Sequence, residues 1–230
     1  MNLQDNVYRF MTLLFCITFW QPRVEADQVL IDRLPNPDAL PLHDQEYPDF
    51  PECSIYVVAN VVFDVNVEIS SITTYFTNIG QNWPHNELGS AVLNVFEGAL
   101  NSNHDPTQGA TLAVFFADVS NGITVTASFE NNPLKLSGNT QYWIGLTPIL
   151  GFNEHGSEFH FDSLLGPTSM LRDPGNCFDL GSEWVDPAVW GLPGYSAAMT
   201  ITGNVIPEPN SFALSLFVLM VICNGKRKKS

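Results

Sequence analysis

The chain has 230 residues, and 24 acidic side chains against 9 basic ones give it a net charge of −15 at neutral pH. Such an excess of carboxylates repels phosphate backbones and anionic membrane surfaces, which argues against nucleic-acid binding. The chain has no Gly-x-Ser-x-Gly elbow, no His-Glu-x-x-His motif and no phosphate-binding glycine loop. These absences indicate a protein that is not an enzyme, and no cofactor is predicted.

The N-terminal segment, residues 1–26, is typical of a secretory signal peptide. Arg9 precedes an apolar run from Phe10 to Trp20, and Val24-Glu25-Ala26 follows as a small-x-small cleavage site. Asp5 partly offsets the charge of Arg9, so a retained N-terminal anchor is the alternative. A signal helix is predicted here, and with it export of the remaining chain.

Residues 27–52 are predicted to form an extended arm. The segment is rich in acidic residues and carries five prolines, Pro35, Pro37, Pro41, Pro48 and Pro51. Proline has no backbone N–H and a fixed φ, so this segment suits neither a helix nor a central strand.

Residues 53–204 are predicted to form the folded domain, and its pattern is that of short strands. Phe63, Val65, Val67 and Ile69 alternate with polar residues, which places them on one face of a strand. Asn121-Gly122 predicts a tight hairpin turn. Further strands are predicted at 71–77, 91–97, 111–117, 123–129, 141–147, 158–162 and 197–202.

No segment of this domain has a sustained helical period, and turn residues separate the strands. The predicted fold class is therefore all-β, an antiparallel β-sandwich of jelly-roll-like form. The complete chain would add a signal helix at its N-terminus and a hydrophobic helix at its C-terminus.

The sharpest candidate for a metal site is the predicted strand around His160. Glu158, His160 and Asp162 would share one face of it, and carboxylate with imidazole can hold a metal ion. The alternative is a solvated strand face. Calcium is the ion that the later loop carboxylates would suit, namely Asp173, Asp179, Glu183 and Asp186.

A long irregular loop rich in Pro and Gly, residues 166–194, is predicted before the last strand, and such loops often carry function. Trp184 and Trp190 lie in it. They are the candidates for stacking against sugar rings, and core packing is the alternative use of these side chains.

Cys53 and Cys177 are the cysteines that remain once the two ends of the chain are set aside, because Cys16 lies in the leader and Cys223 in the tail. An even pair in an exported protein predicts a disulfide. Two buried free thiols are the alternative.

The tail, residues 205–230, has three parts. Pro207-Glu208-Pro209 is held extended by its prolines, an apolar run from Phe212 to Cys223 suits lipid, and the chain ends in a basic cluster, Lys226, Arg227, Lys228 and Lys229. The apolar run is shorter than the about 20 residues of a full membrane span. The basic cluster would keep the C-terminus in the cytoplasm.

These three parts, in this order, resemble the PEP-CTERM sorting signal of Gram-negative and related bacteria. The resemblance covers the tail alone. It implies recognition by exosortase, a membrane-embedded cysteine transpeptidase, transient membrane anchoring, and processing near Pro207-Glu208-Pro209. It also implies a place at the cell surface or in an extracellular polysaccharide matrix.

The exported middle of the chain is more acidic than the whole. Of the 24 acidic residues only Asp5, Glu25 and Glu208 lie in the two ends, which leaves 21. The basic residues between the ends are Arg33, Lys135 and Arg172, so the net charge there is −18. The predicted function is a non-enzymatic protein of the cell surface or extracellular matrix. A carbohydrate-binding module, calcium-assisted or not, is the alternative, and a secreted hydrolase comes last.

Overall fold

The computed structural model describes residues 27–35, 42–77, 84–120, 122–151, 160–161, 163–165, 169–190 and 195–207. The predicted signal helix and the predicted hydrophobic C-terminal helix lie outside these ranges and stay predictions. Within the ranges, no helix has the length and hydropathy of a membrane span.

The regular structure of the described residues is almost entirely β. Three short 3-10 turns occur at Pro51–Cys53, Pro106–Gln108 and Pro187–Trp190. The strands are β1 (Gln28–Arg33), β2 (Leu42–His43), β3 (Tyr56–Val62), β4 (Val67–Thr77), β5 (Glu87–Glu97), β6 (Ala110–Val119), β7 (Gly122–Ser128), β8 (Leu134–Leu136), β9 (Gln141–Pro148), β10 (His160–Phe161), β11 (Ser163–Leu165), β12 (Ser169–Arg172), β13 (Tyr195–Ala197) and β14 (Met199–Val205).

Twelve of these strands form one antiparallel sheet. Its main order is β1-β14-β4-β7-β6-β5-β9-β3-β12, with β8 and β10 paired to β4 and β2 paired to β10. The remaining two, β11 and β13, pair with each other. The long strand β4 organises one half of the sheet, because it pairs along its length with β14, β7 and β8.

The sheet is curled into a half-barrel around one core. Side chains of β3 and of β4, which are five positions apart in the strand order, belong to the same hydrophobic cluster. One contact links distant parts of the sheet: Arg33 Nη2 on β1 donates to Asn60 O on β3 at 2.8 Å. A second joins the two-stranded sheet to the large one, because Ala197 N on β13 donates to Ser169 Oγ on β12 at 2.7 Å. The prediction of an all-β fold is thus confirmed, while its finer form, a jelly-roll sandwich, is not.

The boundary of β4 differs from the predicted strand. Phe63, Val67 and Ile69 are buried as predicted, whereas Val65 is 38% exposed. The reason is a turn between β3 and β4, in which Asn66 Oδ1 accepts a hydrogen bond from Gly138 N at 2.8 Å. Asn66, which the alternation placed on the outer face of a strand, therefore holds two turns together.

The predicted hairpin after β6 is present, with Gly122 paired to Val119 as the first residue of β7. The segment predicted as an arm contains β1, which lies at the outer end of the sheet and pairs with β14. An edge position suits a strand followed closely by proline.

Candidate functional site

Trp184 packs against the outer face of β5. Its indole Nε1 donates to the backbone oxygen of His104 at 2.8 Å. Its ring meets Phe96 edge-on, with centroids 5.7 Å apart, and Phe96 lies 5.0 Å from the His104 ring. Trp184 is half-buried. The three rings form the aromatic cluster, which joins β5 to two loops that are distant in sequence.

Arg172, on β12, holds the same two loops together. Its Nη1 donates to the backbone oxygen of His104 at 2.9 Å, and its Nε donates to the backbone oxygen of Ser182 at 2.7 Å. The His104 oxygen thus accepts from both Arg172 and Trp184. The aromatic cluster is fixed from two sides.

The Cys53–Cys177 disulfide is present, with an S–S distance of 2.06 Å and Cα atoms 4.8 Å apart. Asp173 shapes the loop that carries Cys177: its carboxylate accepts from Cys177 N at 3.1 Å and from Phe178 N at 2.8 Å. A side chain at Gly175 would collide with the backbone of Glu52, so the absence of a Cβ lets this loop approach the other cysteine.

Asp173 is one of the loop carboxylates that the sequence suggested for calcium. Its carboxylate is fully buried and accepts hydrogen bonds from its own loop. In the part of the chain that the structure describes, no three His, Cys, Asp or Glu side chains group as metal ligands would.

An open cleft of about 460 Å³ lies beside the aromatic cluster. Its walls are residues 93–96 of β5, residues 103–105 and 108–110 on the way into β6, and Leu134 of β8. We call it the β5 cleft. Its volume is in the range of small-molecule sites.

Asn94 lines the β5 cleft and is unusual among buried side chains. It is 1% exposed, and neither Oδ1 nor Nδ2 has a hydrogen-bond partner. Gly109 lies directly against it, since a Cβ there would come within 2.6 Å of Asn94 Oδ1. Buried amides are nearly always paired in folded proteins, so this one requires an explanation.

A second buried polar site lies at Asp44, next to β3 and β9. Its Oδ1 accepts from Thr147 Oγ1 at 2.7 Å and from Val57 N at 3.1 Å. Burial in the apolar surroundings raises the pKa of Asp44 to about 8, although both hydrogen bonds act in the opposite direction. Burial also raises the pKa of the half-buried Glu46, which accepts from Tyr56 Oη at 2.9 Å.

The other predicted site residues are only partly covered. His160 lies in β10, opposite Thr77 and His43, while Glu158 and Asp162 are outside the described residues. Trp190 ends the 3-10 turn Pro187–Trp190. Pro207 is exposed after β14; Glu208, Pro209, Lys226, Arg227, Lys228 and Lys229 lie outside the described residues.

The sequence pointed to Trp184, which lies in the aromatic cluster but does not line the β5 cleft, and it did not point to Asn94, Phe96 or His104, which do. One signal for Asn94 was present: it is the polar residue inside the apolar run from Ala91 to Phe96. His104 carried no such signal: its backbone oxygen accepts from Arg172 and Trp184 and its ring packs near Phe96, and the sequence shows none of these contacts.

No protein-family model matches this chain, and a search of curated proteins finds no match either.

Proposed function

We propose that this protein is an exported, non-enzymatic component of the cell surface or extracellular matrix, delivered through its PEP-CTERM-like tail. In this proposal exosortase recognises Pro207-Glu208-Pro209, the apolar segment anchors the chain transiently, and the basic cluster stays on the cytoplasmic side. The Cys53–Cys177 disulfide is the observation that carries the proposal.

The disulfide supports export because such bonds persist in oxidising compartments and are rare in reducing ones. The two cysteines are 124 positions apart in the sequence. Their pairing therefore links the start of the domain to the loop after β12. In a reducing compartment the two cysteines would stay as free thiols and this link would be absent.

The use of the basic side chains also supports the proposal. Arg33 donates to Asn60 O, Arg172 donates to two backbone oxygens, and Lys135 Nζ lies 2.9 Å from Glu68 Oε1. These are all the Lys and Arg residues between the two predicted targeting ends. Three cations stand against 21 acidic residues there, so the surface that meets the exterior is strongly anionic, which suits a soluble matrix component.

The double variant Pro207→Ala/Pro209→Ala tests the role of the tail. We expect it to accumulate unprocessed in the membrane fraction, because alanines no longer hold the marker extended. Intact mass and cell fractionation would report both effects. Asn210→Ala, in the same segment, is the matched control and should be processed normally. Identical processing and location of the double variant would contradict the proposal.

A carbohydrate-binding role for the same exported domain is the second function, and the aromatic cluster beside the β5 cleft favours it. Trp184 is half-buried there and aromatic faces suit sugar rings. A glycan array probed with the full chain, with and without chelator, tests both binding and calcium dependence.

We also propose the finer form of the predicted fold, a jelly-roll sandwich. A crystal structure of the full chain would test it.

A further inference from the structure

The geometry points to the β5 cleft as the binding site for a ring of a neutral sugar, with the Asn94 side-chain amide as its central polar contact. The inference rests on the carbohydrate-binding function proposed above. It gives that function a location, a ligand class and a contact residue. Trp190, the other tryptophan that the sequence suggested for sugar stacking, has no part in it.

The cleft exists because β5 extends beyond its neighbour on one side. β9 pairs with β5 as far as Glu97, but β6 pairs with it only as far as Leu93. Residues 94–97 therefore project past the start of β6. The connection through the 3-10 turn Pro106–Gln108 closes over this projecting end and leaves the cleft between them.

The polar feature of the cleft is the Asn94 amide. Among the residues that the structure describes, it is the buried side-chain amide whose oxygen and nitrogen both lack a partner. An amide offers two donors and an acceptor, and a sugar hydroxyl both donates and accepts. Both amide atoms are shielded from solvent, with Gly109 against Oδ1, so a ligand hydroxyl would reach them as the Gly109 backbone shifts. It would then satisfy a group that the protein itself leaves unpaired, at a cost to its own stability.

The apolar feature of the cleft is the wall at Phe96. This ring packs edge-on with Trp184, with centroids 5.7 Å apart, and lies 5.0 Å from the His104 ring. Arg172 and Trp184 both bind the His104 oxygen, so the wall is assembled before any ligand arrives. Sugar rings carry hydroxyls at their edge and C–H groups on their faces, and the cleft offers an amide and an aromatic wall to match.

Charge restricts the ligand class to neutral sugars. No Lys or Arg is among the described residues that line the cleft, whereas Asp105 is. The Asp105 carboxylate is directed into its own turn, where Oδ1 accepts from Thr107 N at 3.0 Å and from Thr107 Oγ1 at 2.8 Å. With a chain charge of −15 around it, the cleft disfavours uronate, sulfated or phosphorylated sugars.

The test is an NMR titration of the disulfide-intact full chain, ¹⁵N-labelled and held in a detergent without a sugar headgroup. The probes are maltose, cellobiose, lactose and chitobiose, with glucuronic acid as the anionic comparison. We expect at least one neutral disaccharide to shift the side-chain amide signal of Asn94 saturably, and glucuronic acid to leave it unchanged.

Three variants locate the site. Asn94→Leu keeps the side-chain shape and removes the unpaired amide, so it should abolish binding while unfolding at a higher temperature than the wild type. Gln108→Ala, at the rim, should weaken binding several-fold. Gln28→Ala, an exposed glutamine on the edge strand β1, is the matched control and should bind as the wild type does.

The outcomes distinguish failure of the cleft assignment from failure of the carbohydrate-binding function. If a sugar binds but the Asn94 signal and the Asn94→Leu affinity do not change, the cleft assignment is wrong and the carbohydrate-binding function stands. If none of these sugars, and no glycan on the array, binds the chain, both are wrong. Saturable shifts at Asn94 that Asn94→Leu abolishes and Gln28→Ala preserves would support both.

Discussion

Asp44 is a carboxylic acid enclosed by apolar strands, and its surroundings dictate its protonation. It is 1% exposed, and its two identified donors, Thr147 Oγ1 and Val57 N, both reach the same oxygen. Two hydrogen bonds to one oxygen do not offset the loss of hydration, so the pKa rises to about 8. The side chain is therefore mostly a neutral acid near pH 7.

This raised pKa predicts that stability falls as pH rises. Between about pH 4 and pH 8 the folded state keeps a proton that the unfolded chain releases, so Asp44 lowers the free energy of unfolding by about 1.4 kcal/mol per pH unit. The amide introduced by Asp44→Asn keeps an acceptor oxygen and does not ionise. We expect this variant to unfold at a higher urea concentration than the wild type at pH 8 and at a similar one near pH 4.

Urea unfolding at pH 4.5, 6.5 and 8.5 measures this difference. Glu130→Gln, at an exposed turn, is the control and should leave the pH slope as it is in the wild type. A residual slope from Glu46 is expected in the Asp44→Asn variant, since burial raises that pKa too. Equal pH slopes for the wild type and Asp44→Asn would show that Asp44 is ionised in the folded state.

At the scale of elements, the loop after β12 shows how an irregular segment is held in place. Leu171 and Val185 exchange backbone hydrogen bonds of 3.0 Å and 2.8 Å across it. Asp173 binds two of its amides, and Cys177 anchors it to Cys53. This loop also carries Trp184, so its anchoring positions the aromatic cluster.

Removal of the disulfide should destabilise the protein markedly. In the chain-entropy treatment, opening so long a closed loop costs about 4–5 kcal/mol of unfolding free energy. We expect the Cys53→Ala/Cys177→Ala variant to lose stability of that order in denaturant unfolding. The wild type in reducing agent should match it, and the double variant, as the control, should not respond to reductant. An oxidised wild-type mass that is not lower by two hydrogens would contradict the bond.

Strand prediction succeeded in the interior of elements and failed at their ends. The runs at 91–97, 111–117 and 141–147 lie inside β5, β6 and β9, because segments rich in β-branched and aromatic residues between turn residues favour strands. The alternating pattern that begins at Phe63 runs on through the turn between β3 and β4. That turn is recognisable only from the hydrogen bond between Asn66 and Gly138. Local periodicity does not show a partner more than seventy positions away in the sequence.

At the scale of the whole molecule, charge opposes compaction. Between the two ends, 21 acidic residues stand against Arg33, Lys135 and Arg172, and each of these three cations already has an internal partner. Three cations cannot neutralise 21 carboxylates, so the carboxylates repel one another on the surface of a curled sheet that holds one core.

Added salt should therefore stabilise the fold. Raising the concentration of NaCl from about 10 mM to about 150 mM shortens the screening length from about 30 Å to about 8 Å. We expect the melting temperature to rise by a few degrees, as calorimetry would measure. Choline chloride at equal ionic strength should act alike if screening is the cause. An unchanged or falling melting temperature in both salts would contradict the repulsion.

The sequence by itself determined the strand-rich texture and the acidic charge, because composition and alternation are local or additive properties. It predicted the pairing of Cys53 with Cys177, which the structure contains. It also supplied the tail motif on which the sorting proposal depends. Only the tertiary structure decided that one sheet curls around one core, that Asp44 is buried, and that Asn94 lies unpaired beside Phe96. Those facts follow from contacts between residues far apart in the chain, such as Trp184 with His104, and a pattern read along the sequence does not contain them.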